Sequence, residues 1–328
     1  MRTFLIALAS IALSDSGFAK GTVIAGTFES QALGVSKAYR AYLPDGYAES
    51  TIRYPVIYLL HGWGVNEDTW IDTLDLPGVA DRIDLQAIVV MPDGDRSLYA
   101  NAVSGTDYDT CIQDQRPERN KSEKREEFCV RTPRYEDYVV IDLVGYIDSN
   151  YRTVASREGR ALSGESAGGF GAISIALRNP TTFSSAASHS GFVALLYDGP
   201  YPYKQGQSTF QTEIVSDPAN AEVQQILGLE VANWQVHDPY SLIAANPHTD
   251  VALYFDCGTE DEYGFDDLAA AFDELLTTLG IEHEFHSVSG HHDDELFGAR
   301  IEYSLKFHIF HFRKNGVHPM FKLPPRNE

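Results

Sequence analysis

The sequence predicts an α/β fold in which a mostly parallel central sheet is covered by helices on both faces. Continuous apolar runs at residues 55–60, 87–91 and 251–255 are typical of strands that are buried on both faces. Helix-forming segments alternate with such runs, at residues 138–150, 167–179, 265–279 and near 296–312. Residues 22–30 and 35–43 instead alternate apolar and polar side chains, which predicts an antiparallel N-terminal pair with one wet face.

The domain organisation follows from length and from the N-terminal residues. Arg2, an apolar run at residues 4–13 and the small residues Gly17 and Ala19 predict a signal peptide over residues 1–19. We therefore expect a secreted or periplasmic protein. Residues 20–328 are predicted to form a single domain, with an insertion at about 109–131 and a cap-like excursion at about 197–236, where Gly, Pro, Gln and Tyr interrupt the pattern.

The charge, the cysteines and the histidine pairs indicate which partners, disulfides and cofactors to expect. The formal net charge of −22 argues against nucleic-acid binding, which needs a surplus of Lys and Arg. Cys111 and Cys129 bracket one polar segment and are predicted to form a disulfide, whereas Cys257 lies in an apolar run and is predicted to be a buried free thiol. The two His-x-x-His pairs, at residues 283–286 and 308–311, lack further ligands at matching spacing, so we expect neither a metal nor an organic cofactor.

The segment around Ser166 is the most specific local signal. Gly164 to Gly168 reads G-x-S-x-G between a strand-like run and a helix that stops before Pro180. In an α/β-hydrolase fold this pattern forms a nucleophile elbow, which pushes the serine hydroxyl out above the sheet. Ser166 is therefore the candidate nucleophile.

A serine nucleophile needs a histidine base and a carboxylate that orients the base. In this fold the partners follow the serine in the order acid, then histidine. Downstream of Ser166, residues 260–262 are three acidic residues after a buried strand, and His291 and His292 follow the next strand-like run. Both segments are expected at the carboxyl edge of the sheet, where active sites of such sheets form.

An oxyanion hole is the second requirement of this chemistry. Residues 59–64 end an apolar strand with the turn Leu-Leu-His-Gly-Trp-Gly. We expect the backbone N–H groups of Trp63 and Ala167 to form the hole. His61 precedes the serine, so it is interpreted as support for this turn and not as the base.

Residues from about 35 to 312 resemble the esterase family that includes esterase D, feruloyl and acetylxylan esterases, and secreted mycolyltransferases. The matching segments are Leu-Leu-His-Gly at 59–62, Met-Pro-Asp-Gly at 91–94, Tyr-Glu-Asp-Tyr at 135–138, the serine motif at 164–172, Ser-His-Ser-Gly at 188–191 and Cys-Gly-Thr-Glu-Asp at 257–261. The resemblance implies Ser166 as nucleophile, Asp261 as the triad acid and a histidine of the 291–292 pair as base. Aligning His292 and Asp293 with the commoner His-Asp pair favours His292, with His291 as the alternative.

The resemblance implies a serine hydrolase that cleaves carboxylic esters, of small molecules or linked to carbohydrate, through an acyl-enzyme, and the predicted signal peptide implies that it is exported. One alternative is an acyltransferase that passes the acyl group to a sugar or an alcohol. Another is an inactive carbohydrate- or surface-binding homologue, which the intact triad order disfavours. The acyl and alcohol specificity and the oligomeric state stay open.

Overall fold

The structure is a computed structural model that describes residues 21–113, 124–197 and 217–317, and eight strands of this part form one central sheet. The strands are β1 (Thr22–Ser30), β2 (Val35–Leu43), β3 (Val56–Leu60), β4 (Ile88–Pro92), β5 (Arg160–Glu165), β6 (Ser185–His189), β7 (Ala252–Gly258) and β8 (His283–Val288). Their order is β1-β2-β4-β3-β5-β6-β7-β8. The pairs β1–β2 and β2–β4 are antiparallel and all other neighbours are parallel, as predicted.

The central strands are buried on both faces because their side chains alternate between two cores. On β3, Tyr58 and Leu60 pack into the larger core, whereas Ile57 and Leu59 face the smaller one. Helices cover each face of the sheet, which buries the continuous apolar runs that predicted these strands. The predicted α/β fold is therefore confirmed.

Strand β6 was not predicted from the sequence. It reads Ser-Ala-Ala-Ser-His, and all five residues are buried between β5 and β7. Small and polar residues have low strand propensity, so the segment lacks the apolar signal of its neighbours. Position in the sheet, and not local preference, makes it a strand.

The three longest helices lie where the sequence predicts helices, whereas α8 lies in the segment predicted as an excursion. They are α1 (Thr69–Asp72), α2 (Leu76–Arg82), α3 (Tyr108–Gln113), α4 (Arg125–Phe128), α5 (Tyr135–Asp137), α6 (Val144–Asn150), α7 (Ala167–Arg178), α8 (Asp217–Leu227), α9 (Val231–Gln235), α10 (Pro239–Ala245), α11 (Phe265–Leu279) and α12 (Asp294–Lys314). The segment predicted as one helix at 138–150 starts with a π-helical turn, Tyr138–Leu143, before α6. Helices α6, α7 and α11 pack on the larger core, and α1, α2 and α12 pack on the smaller one.

The predicted disulfide is present, between Cys111 and Cys129, and Cys257 is a buried free thiol. The predicted signal peptide at residues 1–19 lies outside the described residues, as do residues 114–123 of the insertion and 198–216 of the excursion. The described remainder of the excursion contains helices α8 and α9. No helix of the described ranges is both long enough and apolar enough to cross a membrane.

Candidate active site

Ser166 lies at the sharp turn between β5 and α7, with φ 51° and ψ −120°. A non-glycine residue with this backbone is strained, at a cost on the order of 1–3 kcal/mol. The flanking glycines are required by close approach: a Cβ on Gly164 would collide with the backbone of Gly168, and one on Gly168 would collide with the carbonyl of Leu60. The glycines of the G-x-S-x-G pattern therefore let α7 start against β5 and β3 with the serine at its tip.

Ser166, His292 and Asp261 form a continuous hydrogen-bonded array. His292 Nε2 lies 2.9 Å from Ser166 Oγ, and His292 Nδ1 lies 2.7 Å from Asp261 Oδ2. Asp261 follows β7 and His292 follows β8, so both side chains reach the carboxyl edge of the sheet above Ser166. The Asp261 carboxylate is inaccessible to solvent, and it also accepts the Tyr263 N–H at 3.0 Å and the Cys257 thiol at 3.5 Å.

His291 lies on the outer side of the loop that follows β8 and carries His292. Its imidazole is 59% exposed, and Nδ1 lies 2.8 Å from the Glu262 carboxylate and 3.1 Å from the Glu260 carbonyl. The Glu262 charge raises the pKa of His291 above its ordinary value. Of the two adjacent histidines, the structure therefore brings His292, and not His291, to Ser166.

The other carboxylates near the site hold the histidine loop. Glu260 accepts the Gly290 N–H at 2.6 Å and Glu262 accepts the His292 N–H at 3.0 Å. Six exposed carboxylates flank the array in sequence, and we refer to them as the acidic rim: Glu260, Glu262, Asp267, Asp293, Asp294 and Glu295. The segments at residues 260–267 and 293–295, which flank Asp261 and His292, therefore carry a surplus of exposed negative charge.

Three aromatic rings fix the plane of the His292 imidazole. The ring centroids of Tyr263, Phe265 and Phe297 lie 4.9, 5.2 and 5.2 Å from that of His292, all nearly perpendicular to it. Edge-to-face packing of this kind is favourable and restricts rotation of the imidazole. The ring is therefore held in the orientation that contacts both Ser166 and Asp261.

The turn at residues 61–63, which we call the His61 turn, has nearly all of its polar groups bonded. Its histidine ring accepts the Gly94 N–H at Nε2 (2.8 Å) and faces the carbonyl of Gly62 with Nδ1 (2.8 Å). The Tyr99 hydroxyl donates to the His61 carbonyl at 3.0 Å, and the Gly62 N–H donates to the Glu165 carboxylate. His61 is 1% exposed with both ring nitrogens engaged, so it supports the turn, as interpreted from the sequence.

Two backbone donors stay unpaired beside Ser166. Across the described ranges, neither the Trp63 N–H nor the Ala167 N–H has a protein acceptor. Trp63 follows the bonded part of the His61 turn, and Ala167 is the first residue of α7. These two N–H groups are the ones the sequence nominated for an oxyanion hole.

Sequence reasoning missed the buried ionic cluster below the His61 turn. The Lys37 ammonium, fully buried, lies 2.9 Å from both Asp93 and Asp95, and Asp93 lies 3.6 Å from His61 Nε2. Burial alone would raise the pKa of Asp93, but Lys37 and His61 bring it well below its ordinary value. The Met-Pro-Asp-Gly segment signalled the aspartate, whereas nothing local in β2 signals that Lys37 points inward.

A second serine–histidine–aspartate array lies in the interior. His189 Nε2 is 2.8 Å from Ser304 Oγ, and His189 Nδ1 is 3.0 Å from Asp256. Arg300 Nε also donates to Asp256, at 3.0 Å. Ser304, His189 and Asp256 are at most 1% exposed, so no substrate reaches this array. Its distances resemble those of the first array, but the Ser304 hydroxyl also donates to the Ile301 carbonyl, at 3.1 Å, and the array is buried.

No three His, Cys, Asp or Glu side chains converge on a possible metal position within the part of the chain that is described. His283 contacts Asp273 at 2.8 Å and stacks on Phe255, which accounts for one member of the first histidine pair. His308 is buried against Ser185, at 2.8 Å, which accounts for one member of the second.

The sheet order, the strained serine after β5 and the Ser–His–Asp array define the class of protein as an α/β-hydrolase. The sequence profile of the family described as "Putative esterase" matches residues 30–308, and the chain belongs to this family. It is 31% identical over 280 residues to esterase Rv1288 of Mycobacterium tuberculosis, covering 81% of this chain and 54% of that protein. The chain thus spans about half the length of the curated Mycobacterium tuberculosis relatives that it matches.

The chain is also similar to a second curated protein over a shorter segment, and to a solved structure in its fold. An endo-1,4-beta-xylanase/feruloyl esterase of Xylanibacter ruminicola is 30% identical over 188 residues, covering 53% of this chain and 21% of that protein. The structure of an S-formylglutathione hydrolase from Agrobacterium tumefaciens superposes with a TM-score of 0.66 at 20% identity, over 91% of this chain and 98% of that one. At that identity the structural likeness concerns the fold alone.

Proposed function

We propose that the chain is an exported serine esterase in which Ser166, His292 and Asp261 act as a catalytic triad. The observation that carries the proposal is the hydrogen-bond chain from Ser166 Oγ through the His292 ring to Asp261. It joins a strained, partly exposed serine to a buried carboxylate at the sheet edge. This is the arrangement that makes an alcohol nucleophilic at neutral pH.

In the acylation step, Ser166 Oγ attacks the ester carbonyl carbon while His292 Nε2 takes the hydroxyl proton. The carbonyl oxygen becomes an oxyanion, which accepts hydrogen bonds from the N–H groups of Trp63 and Ala167. The C–O bond to the alcohol then breaks, and His292 returns its proton to the departing alkoxide. The product is an acyl-Ser166 ester and a free alcohol.

In the deacylation step, a water molecule attacks the acyl carbon and gives its proton to His292 Nε2. The second tetrahedral intermediate collapses, Ser166 Oγ recovers the proton, and the carboxylic acid leaves. Asp261 keeps the ring in the tautomer with its proton on Nδ1 and stabilises the imidazolium formed in each step. The residues invoked account for every proton transferred, so the mechanism invokes no cofactor.

The substrate class proposed is a small-molecule or carbohydrate-linked ester. The Xylanibacter relative carries feruloyl esterase in its name, and a neighbour by fold is a ferulic acid esterase solved with ferulic acid, at 21% identity and a TM-score of 0.53. A panel of p-nitrophenyl, feruloyl, acetyl-sugar and thioester substrates, compared by kcat/KM, ranks the acyl groups. Product analysis with added alcohol or sugar separates hydrolysis from acyl transfer.

The proposal is tested by p-nitrophenyl acetate hydrolysis with paired serine variants. Ser166→Ala should lose about 10⁴- to 10⁶-fold in kcat. Ser304→Ala is the matched control, since it removes the serine of the inaccessible array, which has its own histidine and aspartate, His189 and Asp256. If Ser166→Ala keeps more than about a tenth of the wild-type rate, the proposal is contradicted.

Export is proposed from the apolar run at residues 4–13 and from the Cys111–Cys129 disulfide, since disulfides persist in oxidising compartments. N-terminal sequencing of the protein recovered outside the cytoplasm should start near Lys20. An uncleaved Met1 on the mature protein contradicts the signal peptide.

A further inference from the structure

Glu165, the residue before the nucleophile, is a buried carboxylate without a part in the mechanism above. It is 4% exposed, and within the described ranges the Gly62 N–H is the hydrogen-bond donor to its side chain. A Cβ on Gly62 would collide with this carboxylate, so the two groups are packed directly against each other. Glu165 therefore links the end of β5 to the His61 turn.

This link bears on two successive peptides of the His61 turn. The Gly62 N–H is held by Glu165, and the His61 carbonyl of the same peptide is held by Tyr99 at 3.0 Å. The Gly62 carbonyl belongs to the next peptide, whose N–H is that of Trp63, and it is held by the His61 ring at 2.8 Å. Among the described residues the Trp63 N–H has no hydrogen-bond acceptor. Glu165 therefore fixes the peptide that directly precedes the one carrying the Trp63 donor.

We propose that Glu165 is a positioning residue, which holds the His61–Gly62 peptide by accepting the Gly62 N–H and so supports the adjoining Trp63 donor. The inference rests on the proposed function, because it assigns a role within that reaction. A glutamine keeps a side-chain acceptor for the Gly62 N–H and a leucine removes it, so the two variants make different predictions.

The experiment compares Glu165→Leu and Glu165→Gln with the wild type. Leucine should lower kcat about 10²-fold with KM within about threefold, because an oxyanion donor acts in the transition state and not in substrate binding. Glutamine should recover most of that loss, because its amide oxygen still accepts the Gly62 N–H. Glu67→Gln is the control, because it neutralises another buried carboxyl, whose charged neighbours are Asp93, Asp68 and Arg40.

Either of two results overturns the inference: a kcat within about threefold of wild type in Glu165→Leu, or a loss of kcat in Glu165→Gln as large as that in Glu165→Leu. The amide NMR resonances of Gly62 and Trp63 should move in Glu165→Gln and not in Glu67→Gln, and this comparison needs neither turnover nor a folded leucine variant. Unmoved Gly62 and Trp63 resonances in Glu165→Gln would also overturn the inference. A wild type without esterase activity would refute the proposed function, and the NMR comparison would still decide whether Glu165 holds the His61 turn.

Discussion

The adjacent histidines offer the sharpest mutational contrast. His292→Ala deletes the group that lies 2.9 Å from Ser166 Oγ and 2.7 Å from Asp261 Oδ2. Loss of a triad base costs about 10⁴- to 10⁶-fold in kcat, which is roughly 5–8 kcal/mol of transition-state stabilisation. The change also removes one hydrogen-bond donor from the buried Asp261 carboxylate, at a further cost of about 1–3 kcal/mol in folding stability.

His291→Ala is the matched control in the same loop. Its ring is 59% exposed and contacts the similarly exposed Glu262, so its loss should change kcat/KM by less than about threefold. The assay is p-nitrophenyl acetate hydrolysis from pH 5 to 9, after circular dichroism has shown that both variants are folded. Loss of activity in His291→Ala together with wild-type activity in His292→Ala would refute the reasoning.

Three further predictions concern the cysteines, the buried histidines and the acidic rim. In the denatured, unreduced protein one thiol, that of Cys257, should titrate; three titratable thiols would contradict the disulfide. Burial lowers the pKa of His308 to about 3, so its contribution to stability is present above the unfolded pKa near 6.5 and is lost as pH falls. In urea unfolding below that pH, the slope of the unfolding free energy against pH should be smaller in His308→Leu, by the equivalent of about one proton. An equal slope in the variant and the wild type would contradict this. The acidic rim should repel anionic esters, so kcat/KM for a carboxylate-bearing ester should rise with ionic strength while that of a neutral analogue stays constant, and parallel responses would contradict it.

Much of the fold could be predicted because its long elements have clear local patterns. The bounds predicted for β1, β2 and α11 are those observed, since alternation and helical periodicity extend over nine or more residues in each. Strand β6 escaped because Ser-Ala-Ala-Ser-His carries no apolar signal, and its neighbours in the sheet determine its conformation.

The candidate site likewise has parts that the sequence predicts and parts that it does not. Ser166, the acidic residues 260–262 and the pair His291–His292 could be nominated because each follows a recognisable strand. The resemblance to the esterase family then selected Asp261 and favoured His292. The supporting contacts could not be predicted, because they join residues far apart in the chain: Glu165 with Gly62, and Tyr99 with His61. A local pattern nominates candidate residues, whereas only the fold shows what holds them.

The most direct test of the account is covalent labelling of the native protein by a fluorophosphonate, followed by peptide mapping. A fluorophosphonate reacts with a serine hydroxyl only when a base activates it and the reagent can reach it. The account predicts one modified residue, Ser166, with no label on Ser304 and none at all on the His292→Ala protein. Labelling of a different serine, or an unlabelled native protein, would contradict it.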